Sequence, residues 1–253
     1  MTRTQQLFLQ WNAERLGISL DESKRRYAES WAALPGGHSG RAFGKFNGVA
    51  HDIFRVFYDD NATEVFDTYR YHGPMHFLAM LTYPEPRWSE SDLVVKDLVG
   101  RRPVTILDFG CGLAQQSRTL AEYLRGRGIE VRLILADIPT LRQQFLLWWG
   151  KHTGIPTTFL GCSAAAPIPE LPECSICVAT EFFEHVHQPV AYFDRIDASL
   201  ADGGLLATGI MDHHIDFLHV SPRLDALRDR VAARGYEVVI ADRLLRKPLK
   251  TRS

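Results

Sequence analysis

The sequence predicts an α/β protein with a mainly parallel sheet, preceded by a helical N-terminal segment. Three observations carry this reading. From residue 102 onward, short apolar β-branched runs alternate with amphipathic helical segments, the pattern of βαβ units. The first of these runs passes straight into the glycine turn Gly110-Cys111-Gly112. Residues 1–99 show helical spacing and loops without convincing strand alternation.

Leu7, Trp11 and Leu16 stand near helical spacing. Asp21 is placed to cap a second helix carrying Tyr27, Trp31 and Leu34 on its apolar side, which Pro35 ends. Residues 36–48 are dense in glycine and polar residues and read as a loop. Short helices are expected over 50–58, 62–69, 74–81 and 89–99. Strands are then expected at 104–108, 131–137, 157–160, 175–180, 205–210 and 235–240, the fifth after the turn Asp202-Gly203-Gly204. Helices are expected at 115–127, 141–150, 190–200 and 222–234. The division is a helical cap over 1–99 and a core over 100–253, and ligands of such a core bind at the carboxyl ends of the strands.

Composition narrows the class. The chain has 253 residues, 29 Lys+Arg against 30 Asp+Glu and a formal net charge of −1, so no whole-chain field attracts nucleic acid. Its apolar runs fall short of the ~20 residues that span a bilayer, which argues against a membrane partner. The N-terminus lacks the apolar stretch and cleavage site of a signal peptide, so a cytoplasmic protein is expected. The pair Cys174 and Cys177 forms a CxxC, but Cys111 and Cys162 supply no second zinc pair, and the text around Cys177 reads as a buried strand. All four cysteines are expected to pack as small hydrophobes in a reducing compartment.

The glycines of Asp108-Phe109-Gly110-Cys111-Gly112-Leu113-Ala114 let a ligand approach where a Cβ would collide. Asp137, ending the second strand, is placed to hold two ribose hydroxyls of a nucleoside cofactor. A dinucleotide fingerprint would carry a third glycine where Gln115 stands, and the carboxylate of Asp108 suits a cationic or amino-acid ligand better than a pyrophosphate. At these residues the chain resembles the class I S-adenosylmethionine-dependent methyltransferases. The matching text is ILDFGCGLA, LILADI, FLGCS, VATEFFEHVHQP, LADGGLLATGI and GYEVV, in order over residues 100 to 241. The resemblance implies a Rossmann-like fold with a mostly parallel seven-stranded sheet, and S-adenosylmethionine as cofactor. It places Gly110 and Gly112 along the methionine part of the cofactor, Asp108 near its amino group, Asp137 on the ribose and Ile138 on the adenine. Cys162 stands where many relatives carry an Asp, so the backbone of Cys162 and Ser163 would have to serve the adenine. Ala114 replaces a common third glycine. Glu181 belongs to the same cofactor-side rim.

The fourth strand runs into Glu181-Phe182-Phe183-Glu184-His185. A helical turn starting there puts Glu181, Glu184 and His185 on one face. The loop after the fifth strand carries Asp212, His213, His214, Asp216 and His219, and in a parallel sheet these two loops lie side by side. Two carboxylates and two imidazoles would suit a divalent ion such as Mg²⁺ or Mn²⁺ with open positions for substrate oxygens. The pattern resembles the metal-assisted branch of the same superfamily, which includes small-RNA 3′-terminal 2′-O-methyltransferases. Ubiquinone-pathway O-methyltransferases carry a similar ExxEH. The resemblance implies ligands Glu181, Glu184, His185 and one of His213 or His214, with His214 preferred. Three roles stay open: metal ligation, a histidine general base (His185, His213 or His214) without metal, and simple capping and packing. Asp212 and Asp216 are candidate partners of these ligands.

The acceptor side is expected in the N-terminal segment, where Tyr69, Arg70, Tyr71, His72, Met75 and His76 and the loop at 36–48 would shape a pocket. The basic tail, residues 243–250, reads as a solvated terminus or sheet edge, with a nucleic-acid contact as the alternative. The expected function is methylation of a hydroxyl on a small metabolite. The alternatives are an RNA 3′-end 2′-O-methyltransferase, an S-adenosylmethionine enzyme of other chemistry (N-methylation or no methyl transfer), and a silent cofactor-binding scaffold. A small-molecule acceptor is the expected partner, and a homodimer stays open.

Overall fold

The computed structural model describes residues 1–32, 80–101, 103–139, 141–163, 165–214, 219 and 221–250. The helices expected at 50–58 and 62–69, most of the one at 74–81, the glycine loop, the aromatic–histidine stretch 69–76 and Asp216 lie outside the described residues.

Seven strands form one sheet in the order β3-β2-β1-β4-β5-β7-β6. They are β1 (Val104–Phe109), β2 (Val131–Asp137), β3 (Thr157–Gly161), β4 (Cys174–Val178), β5 (Leu200–Ala207), β6 (Glu237–Ile240) and β7 (Leu244–Arg246). β1 to β5 run parallel; β7 is antiparallel to both β5 and β6. The basic tail is therefore a solvated terminus only at its last residues, 248–250, and an inner strand before them. Its Leu244 and Leu245 are buried between β5 and β6, and Lys247 donates to the carbonyls of Leu200 (2.8 Å) and Asp197. A run of basic letters concealed two consecutive apolar residues, one for each face of the sheet.

Strand period also divides the core. Ile106, Leu133, Leu135, Ile176, Val178, Leu205 and Leu244 face one layer, while Leu107, Ile134, Ala136, Cys177, Leu206 and Leu245 face the other. The first layer is covered by α1 (Arg3–Leu16), α3 (Leu93–Val99), α4 (Gln115–Gly126) and α5 (Leu141–Thr153); α2 (Leu20–Ala32) packs on α1. The second is covered by α6 (Pro189–Ser199) and α7 (Asp225–Ala233). The cysteines behave as the small hydrophobes expected: all four are free and buried, and burial raises every thiol, Cys162 and Cys174 to about 12.

The N-terminal helix is capped by a reciprocal pair, Thr2 Oγ1 accepting from Gln5 N and Gln5 returning to Thr2 N. The second helix starts two residues earlier than Asp21 suggests, with Ser19 Oγ accepting from Glu22 N at 3.1 Å. Phe8, Leu9 and Trp11 enter the first core layer beside Phe145, so α1 shares the core of the sheet. Arg118 locks this contact. Its guanidinium is buried over the rings of Phe145 (5.6 Å) and Trp149 (5.4 Å), and it donates to Leu113 O and Thr4 Oγ1, each at 2.8 Å. Burial lowers its pKa to about 10. Among the described residues no helix is long and apolar enough to cross a membrane.

Arg118→Met keeps the packing and removes both donors, and should cost about 2 kcal/mol of unfolding free energy. An unchanged urea midpoint and slope would show that the latch contributes nothing.

Candidate functional site

The carboxyl ends of β1, β2 and β4 meet at one edge because these strands are parallel neighbours. After β1 the chain turns through Gly110 (φ 71°), Gly112 (φ 53°) and Ala114 (φ 52°). The first two are left-handed without penalty, while Ala114 holds this conformation with a Cβ. A Cβ on Gly110 would overlap the Phe182 ring, and one on Gly112 would overlap the tip of Met80. The glycines thus keep the cradle open to whatever lies above them, here a planar ring and an unbranched thioether that can turn aside.

Asp137 closes the cradle. Its Oδ2 accepts from Gly112 N at 2.8 Å and its Oδ1 from Ile138 N at 2.7 Å. Arg142 Nη2 stands 3.8 Å from Oδ1, and Arg142 Nη1 donates to Met80 Sδ at 3.4 Å. Each carboxylate oxygen keeps acceptor capacity, so the residue fits a ribose diol without surrendering its hold on the turn. The amides of Cys162 and Ser163 are engaged, to Asp137 O (2.9 Å) and Ala166 O (3.1 Å). Sequence reasoning missed Arg142 and Met80; nothing in their local text marks them, since both reach the site through tertiary packing.

Asp108 is 5% exposed and accepts from Ser117 Oγ at 2.5 Å. Burial raises its carboxyl to about 7; the Asp137 charge adds to this, while the Ser117 hydroxyl and Arg118 oppose it. A carboxyl that ionises near neutrality is suited to receive a ligand ammonium group.

The second cluster begins where β4 ends. Glu181 adopts φ 50°, and Phe183–His185 forms a 3-10 turn in place of the expected helical turn. Glu184 is 1% exposed, and its Oε1 has no hydrogen-bond partner among the described residues. His185 Nε2 lies 3.6 Å and His213 Nε2 3.8 Å from that oxygen. Among the described residues two groupings have donor atoms within 4.8 Å of one another: Glu181, Glu184 and His213, and Glu184, His185 and His219. His213, not the preferred His214, faces the cluster; His214 is exposed and lends only its carbonyl, to His219 Nδ1 at 3.0 Å. Backbone bonds explain the choice: His213 N donates to Pro222 O (2.8 Å) and Ser221 N to Glu184 O (3.0 Å), drawing the loop across the turn. His219 belonged to the sequence cluster of histidines but carried no spacing signal. Asp212 does not reach the cluster; it accepts from Leu224 N, Arg223 and Arg228, which hold its carboxyl far below the usual range.

Comparison with solved structures fits this arrangement. LepI in complex with S-adenosylmethionine superposes with a TM-score of 0.54 at 12% identity, over 92% of this chain and 77% of that one. A structure described as a pericyclic reaction enzyme gives 0.52 at 12% identity, over 92% and 78%. The [4+2]-cyclase SpnF gives 0.50 at 16% identity, over 71% and 74%. The chain has the class I methyltransferase fold. At these identities the likeness concerns the fold. Comparisons with family models and with curated protein sequences give no match.

The raised Asp108 sets a sign. A ligand ammonium prefers the ionised form, so if S-adenosylmethionine seats its ammonium on Asp108, its affinity should climb between pH 5.5 and 7 by up to about tenfold per unit, then flatten. The raised carboxyl favours folding fully below its ordinary value of 3.8, and that advantage is lost as pH rises from there through about 7. Asp108→Asn should therefore raise the melting temperature of the cofactor-free protein at pH 7.5 while weakening and flattening the affinity profile in calorimetry. A steep profile surviving in the variant would assign the pH dependence to another group.

Proposed function

We propose that this protein is an S-adenosylmethionine-dependent O-methyltransferase acting on a hydroxyl of a small metabolite, with a divalent ion at the Glu184 cluster. One observation carries the proposal: a carboxylate 1% exposed, with one oxygen lacking a hydrogen-bond partner, stands between two imidazoles on the sheet edge that holds the glycine cradle. A buried unpaired carboxylate oxygen costs stability unless something compensates it, and a cation does so.

Gly110, Gly112, Asp108 and Asp137 would hold the cofactor, which supplies an electrophilic methyl group on a sulfonium. Ile138 packs beside the adenine, and Cys162 and Ser163 border it. Glu181, Glu184, His185 and His213 would hold the ion, whose charge makes an acceptor hydroxyl easier to deprotonate. The chain's own part is positional: Phe182 walls the cradle at Gly110, packing on Phe109 (5.0 Å) and Tyr192 (5.3 Å). The acceptor proton would pass to an imidazole of the neighbouring loop that does not hold the ion.

Two observations bear on the acceptor. The middle of the basic tail is tied into the sheet, with Arg246 on Asp97 and Glu237 and Lys247 on Asp197, while Arg243 and Lys250 stay exposed. That supports a small acceptor over an RNA end. A second reading, cofactor-dependent chemistry without methyl transfer, is favoured by the cyclase and pericyclic-enzyme descriptions of the neighbours.

The test is S-adenosylhomocysteine release over a panel of small hydroxylated acceptors and short RNAs, before and after chelation. Release confined to small acceptors, lost on chelation and restored by a divalent ion, is expected. Chelation-insensitive release would remove the metal, RNA-dependent release the small acceptor, and acceptor conversion without release would favour the second reading. Glu181→Gly should relieve the left-handed strain, adding about 1 kcal/mol of stability, yet lower metal-dependent turnover. Full turnover in that variant would reduce Glu181 to a turn residue.

A further inference from the structure

The cluster is richer in nitrogen than the ExxEH pattern implies. His219 brings a third imidazole: its ring centroid lies 5.2 Å from that of His185 and 4.8 Å from that of His213. One of its ring nitrogens falls within 4.8 Å of donor atoms of Glu184 and His185. The tautomer is set by geometry. Nδ1 lies 3.0 Å from the His214 carbonyl, and a carbonyl only accepts, so Nδ1 carries the proton and Nε2 keeps the lone pair. This is the carbonyl-to-histidine support that orients metal-binding imidazoles. The loop is pinned on both sides of His219, by His213 N to Pro222 O (2.8 Å) and by Ser221 Oγ to Val186 O (2.7 Å). Glu184, buried with Oε1 unpartnered, points into the same space.

Donor chemistry then selects the ion. Mg²⁺ wants oxygen ligands in near-ideal octahedral geometry and dehydrates reluctantly. Imidazole donors favour the later divalent ions, which bind nitrogen more strongly along the first transition row. Three imidazoles border one buried carboxylate, His185 and His219 in one grouping and His213 with exposed Glu181 in the other, a donor set that suits those ions better.

We propose that His219 is a ligand of this centre, and that its third imidazole makes the site take a nitrogen-preferring ion of the Co²⁺ and Zn²⁺ class in preference to Mg²⁺. The proposal rests on the reading of the Glu184 cluster as a metal site. It replaces the Mg²⁺ or Mn²⁺ expected from two carboxylates and two imidazoles, and it needs no acceptor for its test.

The full-length protein, stripped of metal, would be titrated with Co²⁺ and followed by visible d–d absorption and by calorimetry. One equivalent is expected to bind, and about a hundredfold excess of Mg²⁺ should leave the spectrum unchanged. His219→Ala should weaken Co²⁺ binding by about tenfold or more and alter the absorption band, and added imidazole should restore both. His152→Ala, remote on α5, serves as the control for adventitious histidine binding. If His219→Ala melts below wild type, His219→Asn replaces it. An unaltered Co²⁺ spectrum and affinity in the His219 variant, or displacement by equimolar Mg²⁺, would overturn this proposal while leaving a metal site in place. No ion bound by wild type would overturn both the metal site and this inference.

Discussion

Asp137 is the residue on which the site depends. A parallel sheet fixes where β1 and β2 end, but not the path of the chain between β1 and α4. The Asp137 carboxylate helps to do that, accepting from Gly112 N and Ile138 N together, beside the bond from Gly110 N to Ala136 O (2.8 Å). The turn it holds contains three left-handed residues, Gly110, Gly112 and Ala114, and the last carries a side chain that disfavours the conformation by about 1–2 kcal/mol. The Asp137 bond and the helix beginning at Gln115 offset that cost. Without the carboxylate, the cradle would lose its side-chain tie to β2 and keep only the backbone bond from Gly110 N to Ala136 O.

The second constraint is electrostatic. Asp108 and Glu184 are carboxyl groups buried at the same edge, and folding alone compensates neither fully: Asp108 has one hydroxyl donor and a raised pKa, and Glu184 Oε1 has no donor. Both expenditures make sense if a ligand completes them, an ammonium group at one and a cation at the other. The empty protein is then less stable than its packing allows, and ligands should stabilise it by mass action.

Much of this was legible in the sequence. β1, β2 and β4 read out within a residue or two because their two-sided burial gives nearly continuous apolar runs, and the glycine turn and Asp137 stand at strand ends where period and composition change. β5 was less clear: the glycines at 203 and 204 looked like a turn before the strand but lie inside it, beside an irregular register with β4. β7 was hidden because its burial arises from insertion between β5 and β6, a long-range event no local window records. The site divides in the same way. Glu184 and His185 announce themselves by spacing. His213 against His214 could not be decided, because consecutive loop residues point apart and the backbone bonds at Pro222 and Ser221 make the selection. Met80, Arg142 and Arg118 are tertiary contacts, invisible to periodicity.

The joint placement of cofactor and ion on one sheet edge is tested most directly by a crystal structure with S-adenosylhomocysteine and Co²⁺, using anomalous scattering at the cobalt edge. The expected result is the ligand seated over Gly110 and Gly112 with its ribose on Asp137, and a single cobalt peak bonded to Glu184 and the histidines of the loop. Cofactor density elsewhere, or a cradle carrying the ligand with no cobalt at Glu184, would contradict it.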